Sequence, residues 1–535
     1  MFEEFFDLKF LKFDRLSLNF CFLICSLILI NLILKSNLKI SILHPIILGR
    51  QSQFSRIRNQ SQSPIITCSG ATTGSLPCSP KRSINSLYQL LINSDGSFDN
   101  LDLQSNLPSD QPFKNLVLFT RQKLESFLNQ SIQPNQNLLI YCSNPYAKLL
   151  FSLASLTLPF TTILASPNSS GSIPLEIQKV LEPYLSSLSL VIGDTSHEDI
   201  KELLGLDYNP KIITIQDLPL WFQNFESFPF KTLDNPTEFQ KSKLLIINND
   251  NQSNTKPKAP LVYQFTPDNL LAGITASLGL FPLNDKLNSD DRVALEFDND
   301  NLWGYDMSLA AAALYSGASV AFFNRLKDLA DWKPTVLSLQ PTTSQTLANQ
   351  IIQLSQSSFF TKLAIGRKLY ALSNGALAGQ LSQTVQWLGP KVRAIFTNGP
   401  ISQAYASLIR ACISAPFQRV YSHPSAAGPV LANQPYDFQM LQPLRSHIHC
   451  GPPSVNVECK VVNIPEPALI NGDAWKGMLS IRGPSIGTEL LHEAPQDSSN
   501  DKSLIQGGFY QLTQLAQALP NGTIKIHYPS DLGDD

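Results

Sequence analysis

The sequence predicts an α/β protein made of layered, largely parallel sheets, and three observations carry that expectation. Short apolar runs at 137–142, 161–165, 188–192, 212–215 and 244–247 alternate with amphipathic stretches, the pattern of strands alternating with helices. Further on, Val455, Val457, Cys459 and Val461 alternate with Asn456, Glu458 and Lys460, which is the period of a half-buried strand and marks a β-rich part towards the C-terminus. The length, 535 residues, exceeds what one simple core holds, so two or three intertwined lobes are expected.

Taken from the N-terminus, residues 1–45 read as a membrane anchor. The run 16–34, LSLNFCFLICSLILINLIL, has no charged residue over 19 positions, and as a helix it spans about 28 Å against a hydrocarbon core of about 30 Å. A cleaved signal peptide and a buried core helix are the alternatives. The first wants a shorter apolar run and a small-residue cleavage site, and the second sits awkwardly between Arg15 and Lys35. Lys9, Lys12 and Arg15 on one side and Lys35, Lys39 and Arg50 on the other leave the topology unset by charge.

Residues 46–82 are rich in Ser, Gln, Pro and Thr without an apolar period and read as a linker or irregular collar. Within it SGATTG, from Ser69 to Gly74, mimics a phosphate loop, but the outline of such a loop ahead of a long helix falls at residue 248 instead. Residues 83–535 form the body. A net charge of −2 with 15% charged residues provides no basic stripe, which excludes a nucleic-acid partner. Eight cysteines without a CxxC pair suggest neither a disulfide framework nor a zinc ribbon.

The most informative segment is KLLIINNDNQSNTKPKAPLVYQFTPDNLLAGITAS, which starts at Lys243. It has the outline of a phosphate-binding loop between a strand and a helix. Such loops point successive backbone N–H groups at the phosphates, and glycine lets the backbone approach closely with positive φ. From Asn248 through Lys258 there is no glycine, and Asp250 places an anion where phosphate would sit.

In order after this loop come DRVALEFDNDNLWGYDMSLAAAALYSGASVAFF, DWKPTVLSLQPTT, GRKLYALSNG, VRAIFTNGPIS, GPPSVNVECKVVNIPE and GMLSIRGPSIG. In that order and spacing, from about Ser83 to Ile526, the chain resembles the adenylate-forming (AMP-binding) superfamily, specifically the fungal and eukaryotic long-chain acyl-CoA synthetases. The resemblance implies two layered α/β lobes plus a distorted β-barrel, preceded here by one transmembrane helix. It also implies a mobile C-terminal lid, which is expected to be missing because the chain stops within a few residues of GGFYQLTQLAQALPNGTIKIH. Enzymes of this family join ATP to a carboxylate with Mg²⁺ and pass the acyl group to the thiol of CoA. They work facing the cytosol, so the resemblance implies an endoplasmic-reticulum or similar membrane with a cytosolic body, and the sequons at Asn59 and Asn129 become ordinary surface residues.

Position by position, the family's nucleotide machinery is depleted. Its phosphate-loop pattern falls on residues 251–259, where only Thr255, Pro257 and Lys258 keep something of it, with Ser253 beside them. Its adenine-side pattern falls on Asn398, Gly399 and Pro400. The pattern whose glutamate holds Mg²⁺ falls on Tyr421 through Ser425, with Ser425 in place of the acid. The aspartate that binds ribose hydroxyls is replaced by Gln514, and the hinge pattern meets Tyr528, Pro529 and Ser530. The expectation is therefore a vestigial nucleotide site at Ser253, Thr255, Lys258, Asn398, Gly399, Tyr421, Ser425 and Gln514, with no catalytic residue, no metal and no cofactor, and a role in binding an acyl chain or a protein partner. The rival is an active long-chain fatty acid–CoA ligase using ATP, Mg²⁺ and CoA.

Three other patterns are weighed. Residues 483–487, GPSIG, match the G-x-S-x-G nucleophile elbow, but no helix pattern follows, and a structural turn is expected. His447, His449 and Cys450 lack a third ligand at a sensible spacing and are expected to be solvated strand residues. Asp298, Asp300 and Asp306 are expected to lie in a polar loop rather than at a cation.

Overall fold

The computed structural model describes residues 19–26, 28, 39–40, 49–57, 61–69, 76–99, 111–128, 136–165, 175–194, 210–222, 225, 242–248, 260–297, 304–377, 379–389, 391–437, 447–464, 475–490, 505–506 and 508–527. Three large sheets organise them. The first runs, edge to edge, through Thr488–Leu490, Leu261–Phe265, Lys243–Asn248, Thr161–Ala165, Asn137–Tyr141, Leu188–Gly193 and Lys211–Thr214. All five apolar runs expected as strands are strands of this sheet, and they pair in parallel.

The second sheet is ordered Leu431–Ala432, Phe417–Tyr421, Ala394–Asn398, Val336–Leu339, Arg292–Glu296, Ser319–Phe323 and Ser97–Phe98, and only the first pairing is antiparallel. One core binds the two sheets. Leu138, Ile140, Val293 and Leu295 face it, together with the helices Pro267–Leu278 and Tyr305–Tyr315. Their strand neighbours point the other way, Leu139 and Tyr141 into one outer cluster and Ala294 into another, as the two-residue period of a strand requires. Both faces are buried, which is why these strands read as continuous apolar runs.

The third sheet is antiparallel and eight-stranded: His447–Gly451, Ile524–His527, Phe509–Ala518, Lys476–Arg482, Glu458–Val462, Ile66–Cys68 and Ser52–Phe54, with Ile505–Gln506 paired to Phe509–Ala518. It stands where a distorted barrel was expected. Its far edge comes from the stretch read as a linker: Thr67 pairs with Glu458 and Gln53 with Thr67. The composition of 46–82 hid these strands because they are three residues each, too short to show a period.

The helix Pro267–Leu278 opens with a capping box, in which Thr266 and Asn269 exchange side-chain and backbone bonds, and Pro267 fills its first turn. Gly273 in its middle is required by close approach. A Cβ there would lie 2.3 Å from the Ala427 carbonyl oxygen, and a Cβ on Gly428 would lie 2.6 Å from the Gly273 oxygen.

Of the expected anchor, residues 19–26 are helical, and the remainder lies mostly outside the described residues. Among the described residues no helix is long and apolar enough to cross a membrane. Lys39–Ile40 forms a two-stranded antiparallel pair with Ala376–Leu377.

Three expectations need correction. His449 and Cys450 are not solvated: they are 5% and 2% exposed, because that strand is packed against the rest of the third sheet. Asp306 is not in a loop but in the first turn of the helix Tyr305–Tyr315, where its carboxylate accepts the Ser338 hydroxyl at 2.8 Å; Asp298 and Asp300 lie outside the described residues. Finally, the glycine-free segment does not run from a strand into a helix. It joins two antiparallel strands, Lys243–Asn248 and Leu261–Phe265, and the helix begins only after the second.

Candidate nucleotide-type site

Parallel sheets bind ligands beyond the carboxyl ends of their strands, and four of the residues singled out from sequence fall at that end of the second sheet. Asn398 closes the strand Ala394–Asn398, beside Val420 of the neighbouring strand. Gly399 follows with φ of +125°, and a Cβ there would meet Pro341 Cγ at 2.8 Å, so both conformation and space call for glycine. Tyr421 ends the adjacent strand and is buried, and Ser425 lies four residues on with no exposure at all. The Ser422 hydroxyl donates to Asn398 Oδ1 at 2.8 Å, which ties the two strand ends together.

Ser425 is fully occupied by its own chain. Its hydroxyl lies 2.8 Å from His423 Nδ1, and its backbone N–H donates to the same nitrogen at 3.2 Å. With an amide donating to it, Nδ1 is the acceptor and the ring proton sits on Nε2, a tautomer assigned from the hydrogen-bond network. The Ser425 carbonyl accepts from Gly487 N–H at 2.8 Å, and Ala427 N–H donates to the Ser485 carbonyl at 2.9 Å. The turn 483–487 is therefore a clamp on the Tyr421–Ser425 segment. Ser485 is completely buried, with its hydroxyl 3.5 Å from Asn456 Oδ1, so the G-x-S-x-G pattern is a structural turn. Asn269 holds it from the other side, donating to the Pro484 carbonyl at 2.7 Å and the Ile486 carbonyl at 3.3 Å.

Three residues not singled out from sequence complete the junction. Tyr263 of the first sheet and Tyr510 of the third lie against the His423 ring, with centroids 6.2 and 6.3 Å away, and Tyr510 donates its hydroxyl to Glu489. Tyr263 and Glu489 are cross-strand partners. The three sheets thus meet at one imidazole. Burial pushes the His423 imidazole down to about 4, so it is neutral at pH 7. Burial likewise raises the Tyr421 and Tyr510 phenols far above their ordinary range. His423 was legible only as a neighbour of Tyr421 and Ser425; its role depends on strands more than 80 residues away in sequence on either side.

Gln514 is not at this junction's contacts. It lies four residues beyond Tyr510, about 13 Å along an extended strand, and donates to the His527 carbonyl. Ser253, Thr255 and Lys258 lie outside the described residues. A small pocket lined by Ala276, Leu280, Gln418, Asn433 and Pro453 opens elsewhere and involves none of the candidate residues.

The junction offers aromatic faces, neutral hydrogen-bond groups and one carboxylate, Glu489, which accepts the Tyr510 hydroxyl. A hard dication wants several charged oxygens, yet Ser425 presents a buried hydroxyl already held by His423. Among the described residues no group of three His, Cys, Asp or Glu side chains could hold a metal. The described residues do not fit Mg²⁺ at this position.

No model of a known protein family matches the sequence, and no curated protein matches it. Solved structures do. The ATP-bound MatB from Rhodopseudomonas palustris matches with a TM-score of 0.58 at 14% identity, covering 82% of this chain and 78% of that one. The luciferase-like enzyme of the nonluminescent mealworm Zophobas morio gives 0.57 at 14% identity, over 85% and 98%. A double mutant of the o-succinylbenzoate CoA synthetase MenE from Bacillus subtilis gives 0.55 at 14%, over 83% and 78%. At these identities the likeness is one of fold, and the chain has the mixed α/β architecture of these three enzymes.

Proposed function

We propose that this chain is a catalytically impaired relative of the long-chain acyl-CoA synthetases, anchored in a membrane of endoplasmic-reticulum type by residues 16–34. Its body faces the cytosol and holds an acyl chain or a protein partner. One observation carries the loss of activity: at the position where the resemblance calls for a Mg²⁺-binding glutamate, Ser425 is buried and bonded to His423 at 2.8 Å. The glycine-free segment 248–258 supports the same reading from sequence.

The rival is an active long-chain fatty acid–CoA ligase, favoured by the fold shared with ATP-bound MatB. Pyrophosphate exchange on the purified chain with ATP and long-chain fatty acids separates the two, and none is expected. A ligand that binds only the folded state stabilises it by about 2.7 kcal/mol at a hundredfold excess over Kd, so millimolar Mg·ATP should leave the Tm unchanged. Exchange that disappears in Lys258→Ala would restore the ligase. The anchor is checked separately: the full chain should resist carbonate extraction from membranes and a chain lacking residues 1–36 should not.

A further inference from the structure

The helix Phe359–Ser373 turns Ile365 and Leu372 inward. Its opposite face carries Phe359, Leu363, Arg367 and Tyr370, spaced four, four and three residues apart, which places them on one stripe. The aromatic and aliphatic members are 74%, 60% and 71% exposed, and Phe360 beside them is 79% exposed. Four large apolar side chains in water on a single helix are not a core, and Lys362 and Arg367 are exposed among them.

Two further observations say what covers this stripe. From Trp332 to Tyr436, 105 residues, the sequence holds eight Lys or Arg and no Asp or Glu, so no carboxylate is carried by the helix or by its flanking sequence. Exposed apolar side chains interleaved with cations and without acids suit the boundary between acyl chains and anionic headgroups. The second observation is positional. Lys39 pairs with Leu377, four residues after the helix ends. Leu34, the end of the apolar run 16–34, is five residues before Lys39, and five residues of chain reach at most about 18 Å.

We propose that the helix Phe359–Ser373 lies on the surface of an anionic lipid bilayer, inserting Phe359, Phe360, Leu363 and Tyr370 with Lys362 and Arg367 at the headgroups. The pairing of Lys39–Ile40 with Ala376–Leu377 then brings this helix to the same leaflet from which the N-terminal segment emerges. The body is held against the bilayer in one orientation rather than hanging from a tether. The inference rests on the membrane part of the function proposed above and is independent of whether ATP binds.

The test uses the full chain with Phe360→Trp, reconstituted with vesicles of phosphatidylcholine containing 30% phosphatidylserine, acyl chains brominated. The emission that this variant adds over the parent chain should be quenched by bromine and shielded from aqueous iodide. Lys362→Glu with Arg367→Glu should cut that quenching severalfold, and raising salt should do the same. Added emission that stays open to iodide and insensitive to brominated lipid would overturn the proposal. So would loss of lipid contact combined with a concentration-dependent dimer abolished by Phe359→Ser with Phe360→Ser, since a second copy would then cover the stripe. Carbonate extraction of the same samples keeps the two readings apart. Quenching without carbonate resistance removes the anchor and leaves the helix, whereas carbonate resistance without quenching removes the helix and leaves the anchor.

Discussion

The two ends of the second sheet are built from different chemistry. At the amino ends of its strands Asp291 is 3% exposed and is gripped by Arg393 through Nε at 2.8 Å and Nη2 at 2.7 Å, with the Thr335 hydroxyl at 2.8 Å and a further Arg393–Asp285 ion pair at 2.8 Å. At the carboxyl ends, where ligands of such sheets bind, the bonds are between neutral groups: Ser422 with Asn398, Ser425 with His423, and the clamp from 483–487. Glu296, which closes a strand at that end, is taken by the Gln340 N–H at 2.8 Å and by the Thr343 hydroxyl. Among the described residues, the amino end is held by a buried ion pair, whereas at the carboxyl end the acids Glu296 and Glu489 are taken by uncharged donors of the chain itself and the other bonds join neutral groups.

The largest effect that would test this contrast is at the charged end. Arg393→Ala strips Asp291 of its partner and should cost about 3 kcal/mol, the low end for breaking a buried pair because Arg393 keeps 21% exposure. Urea unfolding should show it as a lowered midpoint at unchanged slope. The same pair has a pH signature. Burial, the largest single influence on Asp291, raises its carboxyl, but the bonds from Arg393 and Thr335 and the Arg393 charge together hold it below the usual range. A carboxyl lowered on folding stabilises the protein above its unfolded value of about 3.9. That contribution is lost as pH falls through the folded value, so Asp291→Asn should flatten the loss of Tm below about pH 4.

Next comes the neutral end. His423 is lowered to about 4 by burial, so as pH falls from about 6.5 the unfolded chain takes up a proton that the folded chain refuses, and stability drops until about pH 4. Because His423 as a residue is only half-buried, the expected loss is reduced to roughly 2 kcal/mol. His449, also lowered to about 4 by burial, titrates in the same window. The readout is therefore the loss of Tm between pH 7 and pH 4, which should be smaller in His423→Asn than in the parent. Asn269→Ala, which removes the side-chain half of the capping box and both bonds to the 483–487 turn while leaving the Thr266 cap, should cost about 1 to 2 kcal/mol by denaturant unfolding. Ser422→Ala should cost least, about 0.5 kcal/mol. If Ser422→Ala instead changed the Tm only when a nucleotide was present, the carboxyl end would be a working site and the contrast would fail.

Much of the fold was legible because buried parallel strands announce themselves as apolar runs, and every one of the five runs proved to be a strand of the first sheet. The third sheet was half legible. The alternation from Val455 to Val461 marked Glu458–Val462, while its partners Ser52–Phe54 and Ile66–Cys68 were too short to carry a period. Asn398, Gly399, Tyr421 and Ser425 were singled out through their order along the chain, and they lie together at the carboxyl end of the second sheet. What the residues around Ser425 do was not visible, because it is set by Tyr263, Glu489 and Tyr510, which come from two other sheets. His449 was misjudged for a related reason: alternation assigns a residue to a face but does not say whether the face is covered.

The edge of the third sheet has a consequence for how the chain is made. Thr67 and its partner Glu458 are 391 residues apart. At about 5–20 residues per second a ribosome takes roughly 20 to 80 seconds to deliver the second after the first. For that interval Ile66–Cys68 has none of its final neighbours on that side, and its open N–H and C=O groups are available to any passing strand. The three-residue length of that strand limits what the open edge can capture, and a slowed or stalled ribosome lengthens the exposure in direct proportion.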